Sequence, residues 1–184
     1  MSNPDSDSAM CDNCDAYNNT GAAAQDEPLF IRSRAIIGTS GIERLRKLRV
    51  AVFGIGGVGG YTVETLARAG VGTLYLIDGD TIDDSNLNRQ IYALCSTIGQ
   101  YKTAAAAVRI SDINPFCKVH QVVRHILPDQ DGTLSYLPFL SNVDCMVDAV
   151  DTIALKVALA AEAESRGIPI VSAMGCGNKL RADL

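Results

Sequence analysis

The sequence predicts an α/β domain with a doubly wound, mostly parallel sheet of the Rossmann-like kind. Three observations carry that reading. Short apolar runs of strand length recur at 49–54, 72–77, 144–150 and 168–172. Helix-length segments separate most of them, so the strands need crossover connections and lie parallel. The first run ends in Gly54-Ile-Gly-Gly-Val-Gly-Gly60, a glycine cluster of the kind that turns a strand sharply into a helix.

Composition sets the frame for these elements. With 184 residues and 47% hydrophobic content the chain can bury a sizeable core. The net charge of −5 is concentrated at one end: residues 1–28 hold six acids and no Lys or Arg, leaving 16 basic against 15 acidic residues in the body. Low apolar content predicts a disordered acidic leader over 1–28, followed by a single domain over 29–184. No apolar run approaches the length of a membrane span, and the acidic N-terminus is unlike a signal peptide, so the expected location is the cytoplasm. Six irregularly spaced cysteines read as reduced thiols, with Cys11, Cys14 and Cys176 as bystanders.

The elements follow in order. Ile42, Leu45 and Leu48 have helical spacing and predict a helix feeding the buried strand 49–54. A helix over 58–69 is closed by Gly70, and a second strand over 72–77 ends at Asp78. Residues 79–98 form a long polar loop, which in a compact domain marks a functional segment. A helix over 100–113 is halted by Asn114-Pro115, and weak alternation over 118–125 suggests a strand. The strand 144–150 leads into a helix over 152–166 with Gly167 beyond its end, and 168–172 is the last strand.

The residues with chemical potential fall at strand ends. Glycines at 54, 56, 57 and 59 allow a phosphate close to the backbone at a helix N-terminus. Asp78 stands where a ribose-binding acid belongs. That much fits an NAD-dependent oxidoreductase equally well. Arg89 in the loop and Lys102 at the next helix add two cations that suit a triphosphate better than a dinucleotide. Asp151, closing Asp148-Ala-Val-Asp151, is placed to hold Mg²⁺. Taken singly, Arg89 reads as a surface ion pair, Lys102 as a solvated charge and Asp151 as a helix cap. In a parallel sheet, however, the carboxyl ends of the strands share one edge, so these residues converge on one ligand, read here as ATP.

At this point the chain resembles the ubiquitin-activating-enzyme-like adenylyltransferases (the ThiF, MoeB and HesA group). The resemblance rests on GIGGVG (54–59), LIDGD (76–80), SNLNRQ (85–90), IGQYK (98–102), INP (113–115) and DAVD (148–151). LFIRSRAIIG (29–38), NRQIYAL (88–94) and MGCGNKL (174–180) are similar to the tRNA threonylcarbamoyladenosine dehydratases within that group. The resemblance implies ATP and Mg as cofactors and tRNA as substrate. It implies Asp78 on the ribose, Asn86, Arg89, Gln90 and Lys102 around the triphosphate, and Asp151 on the metal. Arg32 corresponds to an arginine that reaches the neighbouring subunit's ATP in a homodimer. The implied reaction is carboxylate adenylylation followed by cyclisation of the threonylcarbamoyl group. Activation of a sulfur-carrier or ubiquitin-like protein is the alternative within the group, and a sulfur-transfer protein is a further possible partner. Relatives continue for several strands beyond GNKL, so the chain ending at Leu184 reads as truncated, and a non-catalytic ATP-binding remnant is a fourth reading.

Overall fold

The computed structural model describes residues 28–130, 132, 134 and 137–175. The chain runs α1 (Ile31–Lys47), β1 (Arg49–Phe53), α2 (Gly57–Ala69), β2 (Thr73–Ile77), α3 (Lys102–Ile113), β3 (Lys118–Val122), β4 (Cys145–Asp148), α4 (Ile153–Arg166) and β5 (Ile170–Ser172). Short 3-10 turns lie at Pro28–Phe30, Asp84–Asn86 and Pro138–Asn142. The strands form one sheet in the order β3-β2-β1-β4-β5, and every ladder is parallel. The leader predicted over 1–28 falls, apart from Pro28, outside the described residues.

β1 is central, and its side chains alternate between two cores. Val50 and Val52 face a cluster with Val63, Ala67, Leu74 and Ile110, closed by α2 and α3. Ala51 and Phe53 face another with Leu140, Met146, Leu155 and Leu159, closed by α4. Helices on both faces explain why β1 reads as an unbroken apolar run. The segment before β4, unassigned from sequence, supplies Ile126, Leu134, Leu137 and Leu140 to the second cluster.

Elements differ from expectation chiefly in α1, β3, β4 and β5, with β4 ending at Asp148 rather than 150. α1 starts at Ile31, well before Ile42, and kinks at Gly38 (φ 73°, ψ 170°). Its first half leaves Ile31, Ile36 and Ile37 exposed, so no buried stripe betrays the helix in sequence. The anchor is Phe30, buried against Gly70, with the Arg46 guanidinium 5.7 Å from the ring centroid. β3 stops at Val122, where the Arg124 N–H turns back to the Val122 carbonyl at 3.0 Å. β5 begins at Ile170 rather than 168, an edge strand with Val171 exposed.

The helix ends match their punctuation. Gly70 and Gly167 take left-handed backbone at φ 97° and φ 64°. Asn114 ends α3 because its amide donates to the Ala67 carbonyl at 3.1 Å while its side-chain oxygen accepts from the Phe116 N–H at 3.1 Å. Between α2 and α3, Glu64 is buried and accepts from Arg68 at 2.6 Å and from Arg109 at 3.1 Å. The Arg109 hydrogen bond, with help from Arg68, holds the Glu64 carboxyl below its ordinary value against the opposing effect of burial.

Because the folded-state value is the lower one, Glu64 contributes stability that is fully present above the ordinary carboxylate range. That contribution is lost as pH falls through the lowered value. Urea midpoints followed with pH should therefore drop on the acid side, and Glu64→Gln should flatten that limb.

Candidate functional site at the carboxyl edge

The turn after β1 is wound more tightly than any side chain permits. Gly54 adopts φ 84°, and a Cβ there would lie 2.8 Å from the Ala149 carbonyl oxygen. A Cβ on Gly59 would fall 1.7 Å from the Gly54 oxygen and 3.3 Å from the Ala149 methyl. The last rungs of the sheet, Gly54 N–H to the Ile77 carbonyl and Ala149 N–H to the Phe53 carbonyl, are both 2.8 Å. The glycine turn is thereby set between the ends of β2 and β4. β1 and β4 flank the point where the strand order reverses, which is where open α/β sheets leave a crevice.

Gly56 and Gly57 behave differently. A Cβ on Gly56 would have Gln90 Nε2 as its nearest neighbour at 3.8 Å, and one on Gly57 would have Arg89 Cγ and the Arg89 carbonyl oxygen at 3.8 Å. These two glycines form an open floor at the first turn of α2, and the 89–90 segment passes over it. The first N–H groups of α2 have no partner within their own helix, and Gly56 supplies no side-chain cap.

Asp78 ties the floor to the next strand. Its Oδ2 accepts from the Ile55 N–H at 2.7 Å and its Oδ1 from the Asp80 N–H at 2.8 Å. Asp80 in turn accepts from Lys102 Nζ at 2.6 Å, and His125 Nδ1 lies 3.7 Å from its other oxygen. Lys102 is only 7% exposed, so it is not the solvated charge that it reads as in isolation; a buried ammonium requires an anionic partner. Asp80 is the member of this group that sequence reasoning passed over, although LIDGD contains it.

The loop residues divide into support and presentation. Asn86 is buried, and its side-chain oxygen accepts from the Asp83 N–H at 3.2 Å while Asp83 accepts from the Ser85 N–H at 2.9 Å. Asn86 thus closes the 3-10 turn that carries Arg89. The Arg89 guanidinium is exposed above that turn, donating to the Ser85 carbonyl at 2.8 Å and to Asn88 Oδ1 at 2.9 Å. Among the described residues it makes no ion pair.

Across the crevice, Asp151 is exposed and accepts from the Thr152 hydroxyl at 3.4 Å. Thr152, not Asp151, occupies the N-cap position of α4, so the capping reading of Asp151 is set aside. Among the described residues no three His, Cys, Asp or Glu side chains cluster as a metal cage. The exposed Asp151 carboxylate, just beyond the backbone that abuts Gly54, is nevertheless of the kind that suits Mg²⁺, which keeps several waters and takes one or two carboxylates.

Asp78 bonds to Ile55 in the glycine turn, Lys102 joins it through Asp80, the Ala149 carbonyl abuts Gly54, and the 89–90 segment lies beside Gly56 and Gly57, so these residues share one rim. Arg32 is not among them. It is exposed near the start of α1, where Phe30 anchors on Gly70, and the 13 residues of α2 put about 20 Å between that end and the floor. A cleft of about 490 Å³ opens at the amino ends of β4 and β5, between Leu140, Asp144 and Pro169, and includes none of the rim residues. Of the cysteines, Cys95, Cys117 and Cys145 are free, and burial pushes the Cys117 thiol up to about 11. Cys11, Cys14 and Cys176 lie outside the described residues. No described helix is long and apolar enough to cross a membrane.

This geometry defines a Rossmann-like α/β domain whose polar residues gather at one carboxyl rim. The chain belongs to the ThiF family, whose pattern matches residues 30–180. It is 42% identical over 150 residues to the tRNA threonylcarbamoyladenosine dehydratase of Bacillus subtilis (strain 168), covering 82% of this chain and 58% of that one. The structure is similar to the crystal structure of the Escherichia coli tRNA N6-threonylcarbamoyladenosine dehydratase in complex with ATP. That similarity has a TM-score of 0.77 at 34% identity, covering 84% of this chain and 62% of that one. The adenylyltransferase and sulfurtransferase uba4 of Aspergillus niger is 34% identical over 137 residues, covering 74% of this chain and 27% of that one. The chain thus spans less than two thirds of the length of these relatives.

The two kinds of glycine should be separable by mutation. Gly59→Ala is expected to destabilise the domain by at least about 1–3 kcal/mol in urea unfolding, since backbone must move. Gly57→Ala meets only ordinary contacts in a helix and should leave stability within about 1 kcal/mol.

Proposed function

We propose that the rim binds Mg-ATP and that the chain activates a carboxylate by adenylylation, the carboxylate being that of a threonylcarbamoyl group on a tRNA adenosine. The observation that carries this is the gathering around the 54–59 turn of Asp78 from the end of β2, the 89–90 segment of the following loop, Lys102 of α3 through Asp80, and the 149–150 backbone that leads to the exposed Asp151. Membership of the ThiF family and the named relatives favour ATP over a nicotinamide dinucleotide.

In this reading the floor N–H groups cradle phosphate oxygens and Asp78 receives ribose hydroxyls. Both Asp78 oxygens already accept one backbone N–H, and each keeps a second lone pair for that purpose. Arg89 and Gln90 lie over the phosphates from above, with Asn86 holding their turn. Lys102 turns from Asp80 toward the triphosphate, a compact charge that competes for either anion. Asp151 would hold Mg²⁺, which would supply charge neutralisation to the phosphate oxygens. The substrate carboxylate attacks the α-phosphorus and pyrophosphate leaves. The threonylcarbamoyl group then closes on its own activated carbonyl and AMP departs with the former carboxylate oxygen, a net loss of water driven by ATP. Closure is intramolecular, so orientation supplies on the order of 7–11 kcal/mol of barrier reduction.

Similarity to the Aspergillus adenylyltransferase keeps one second reading in view, activation of a small protein ending in Gly-Gly. Pyrophosphate exchange separates the two: dependence on tRNA bearing threonylcarbamoyl-adenosine supports the first, and strict dependence on the small protein overturns it. We further propose a cytoplasmic homodimer in which Arg32 serves the partner's site, because its own rim is out of reach. Sulfur-transfer partnership is compatible with either reading.

Asp151→Ala should keep the fold by circular dichroism and lose about 10²-fold or more in turnover of tRNA nucleoside, read by mass spectrometry of digests. Retained activity would remove magnesium from this position. Mixing Arg32→Ala and Asp151→Ala proteins, each inactive alone, should restore about a quarter of wild-type activity, because half the dimers then hold one intact site.

A further inference from the structure

We infer that Lys156 and Asp148 form a positioning pair that holds the 149–151 turn in the conformation presenting Asp151 to the glycine floor; this rests on the nucleotide-binding reading of the rim. Lys156 lies in the first turn of α4, with its side chain 12% exposed. Its ammonium donates to Asp148 Oδ1 at 3.1 Å, to Asp148 Oδ2 at 3.0 Å and to the Ala173 carbonyl at 2.7 Å, which uses all three protons. Asp148 is fully buried. Its Oδ1 also accepts from the Val150 N–H at 3.1 Å and its Oδ2 from the Ser172 hydroxyl. One carboxylate therefore joins the ends of β4 and β5 to the start of α4.

The location of the pair gives it a consequence beyond cohesion. Val150 immediately precedes Asp151, and Ala149 is the residue whose carbonyl abuts Gly54. The ion pair lies under the turn that faces the floor. Stability alone does not account for it, since an apolar pair of similar volume commonly holds a fold as well or better than a buried ion pair. What apolar side chains do not supply is a directed acceptor for the Val150 N–H. The pair converts the strand end into a turn of fixed shape, and the Asp151 carboxylate follows that shape.

The test compares wild type, Lys156→Met and the apolar pair Asp148→Leu with Lys156→Met in the full chain. Lys156→Met alone strands a buried carboxylate and is liable to misfold; the double variant carries no unpaired charge and keeps the question open to measurement. Amide exchange without nucleotide should show Val150 protection falling about tenfold in the double variant, with β1 and β2 unchanged. Calorimetry with ATP, with and without Mg²⁺, should show the affinity gained from Mg²⁺ reduced about 10- to 100-fold, even though the melting temperature is equal or higher. A folded variant with wild-type Val150 protection overturns the inference, and so does one with a wild-type response to Mg²⁺. If wild type itself gains nothing from Mg²⁺, the nucleotide reading of the rim fails, while the amide exchange still decides whether the Lys156–Asp148 pair shapes the turn.

Discussion

The constraint on which the site depends is the closeness of three backbone segments at the end of β1. Gly54 lies against the Ala149 carbonyl and Gly59 against the Gly54 carbonyl, at separations that only missing side chains allow. This close winding brings α2 back over the sheet with its N-terminus at the crevice between β1 and β4. It also divides the glycine run by role. Gly54 and Gly59 make the turn, whereas Gly56 and Gly57 leave the floor open.

Around that turn the charges are held in pairs. Lys102 with Asp80 and Lys156 with Asp148 are both lysine–aspartate contacts at strand ends, yet their surroundings differ. Asp148 is fully buried and saturated with donors, which suits a fixed support. Asp80 is half exposed, and His125 stands near its second oxygen, so its hold on Lys102 is open to competition by another anion. A rigid pair on one side of the crevice and an exchangeable pair on the other suit the proposed site, in which one wall would carry the metal-binding acid and the other would admit a triphosphate.

Much of this was legible in the sequence because its signals are local. The apolar runs around β1, β2 and β4, the glycine run, and the terminators Gly70, Asn114 and Gly167 all act within a few residues of where they stand. Asp78 and Asp151 were legible for a topological reason: a residue just beyond a parallel strand arrives at the carboxyl edge whatever the packing. The first half of α1 was not legible, because its anchor is Phe30 on Gly70, a contact forty residues apart, and its exposed isoleucines have no helical stripe. Nor was the support that Asn86 gives its own turn, which depends on backbone geometry around Asp83.

By itself the sequence determined the alternation of elements, and with it the parallel sheet and the edge where glycines and acids collect, since period and turn chemistry are properties of neighbouring residues. Only the tertiary structure decided which charges meet: that Lys102 is buried on Asp80, that Lys156 reaches Asp148 and Ala173, and that Arg32 stays away from its own rim. Those pairings depend on strand order and on helix length in three dimensions. Electrostatic partners are chosen by distance through space, which sequence separation does not encode.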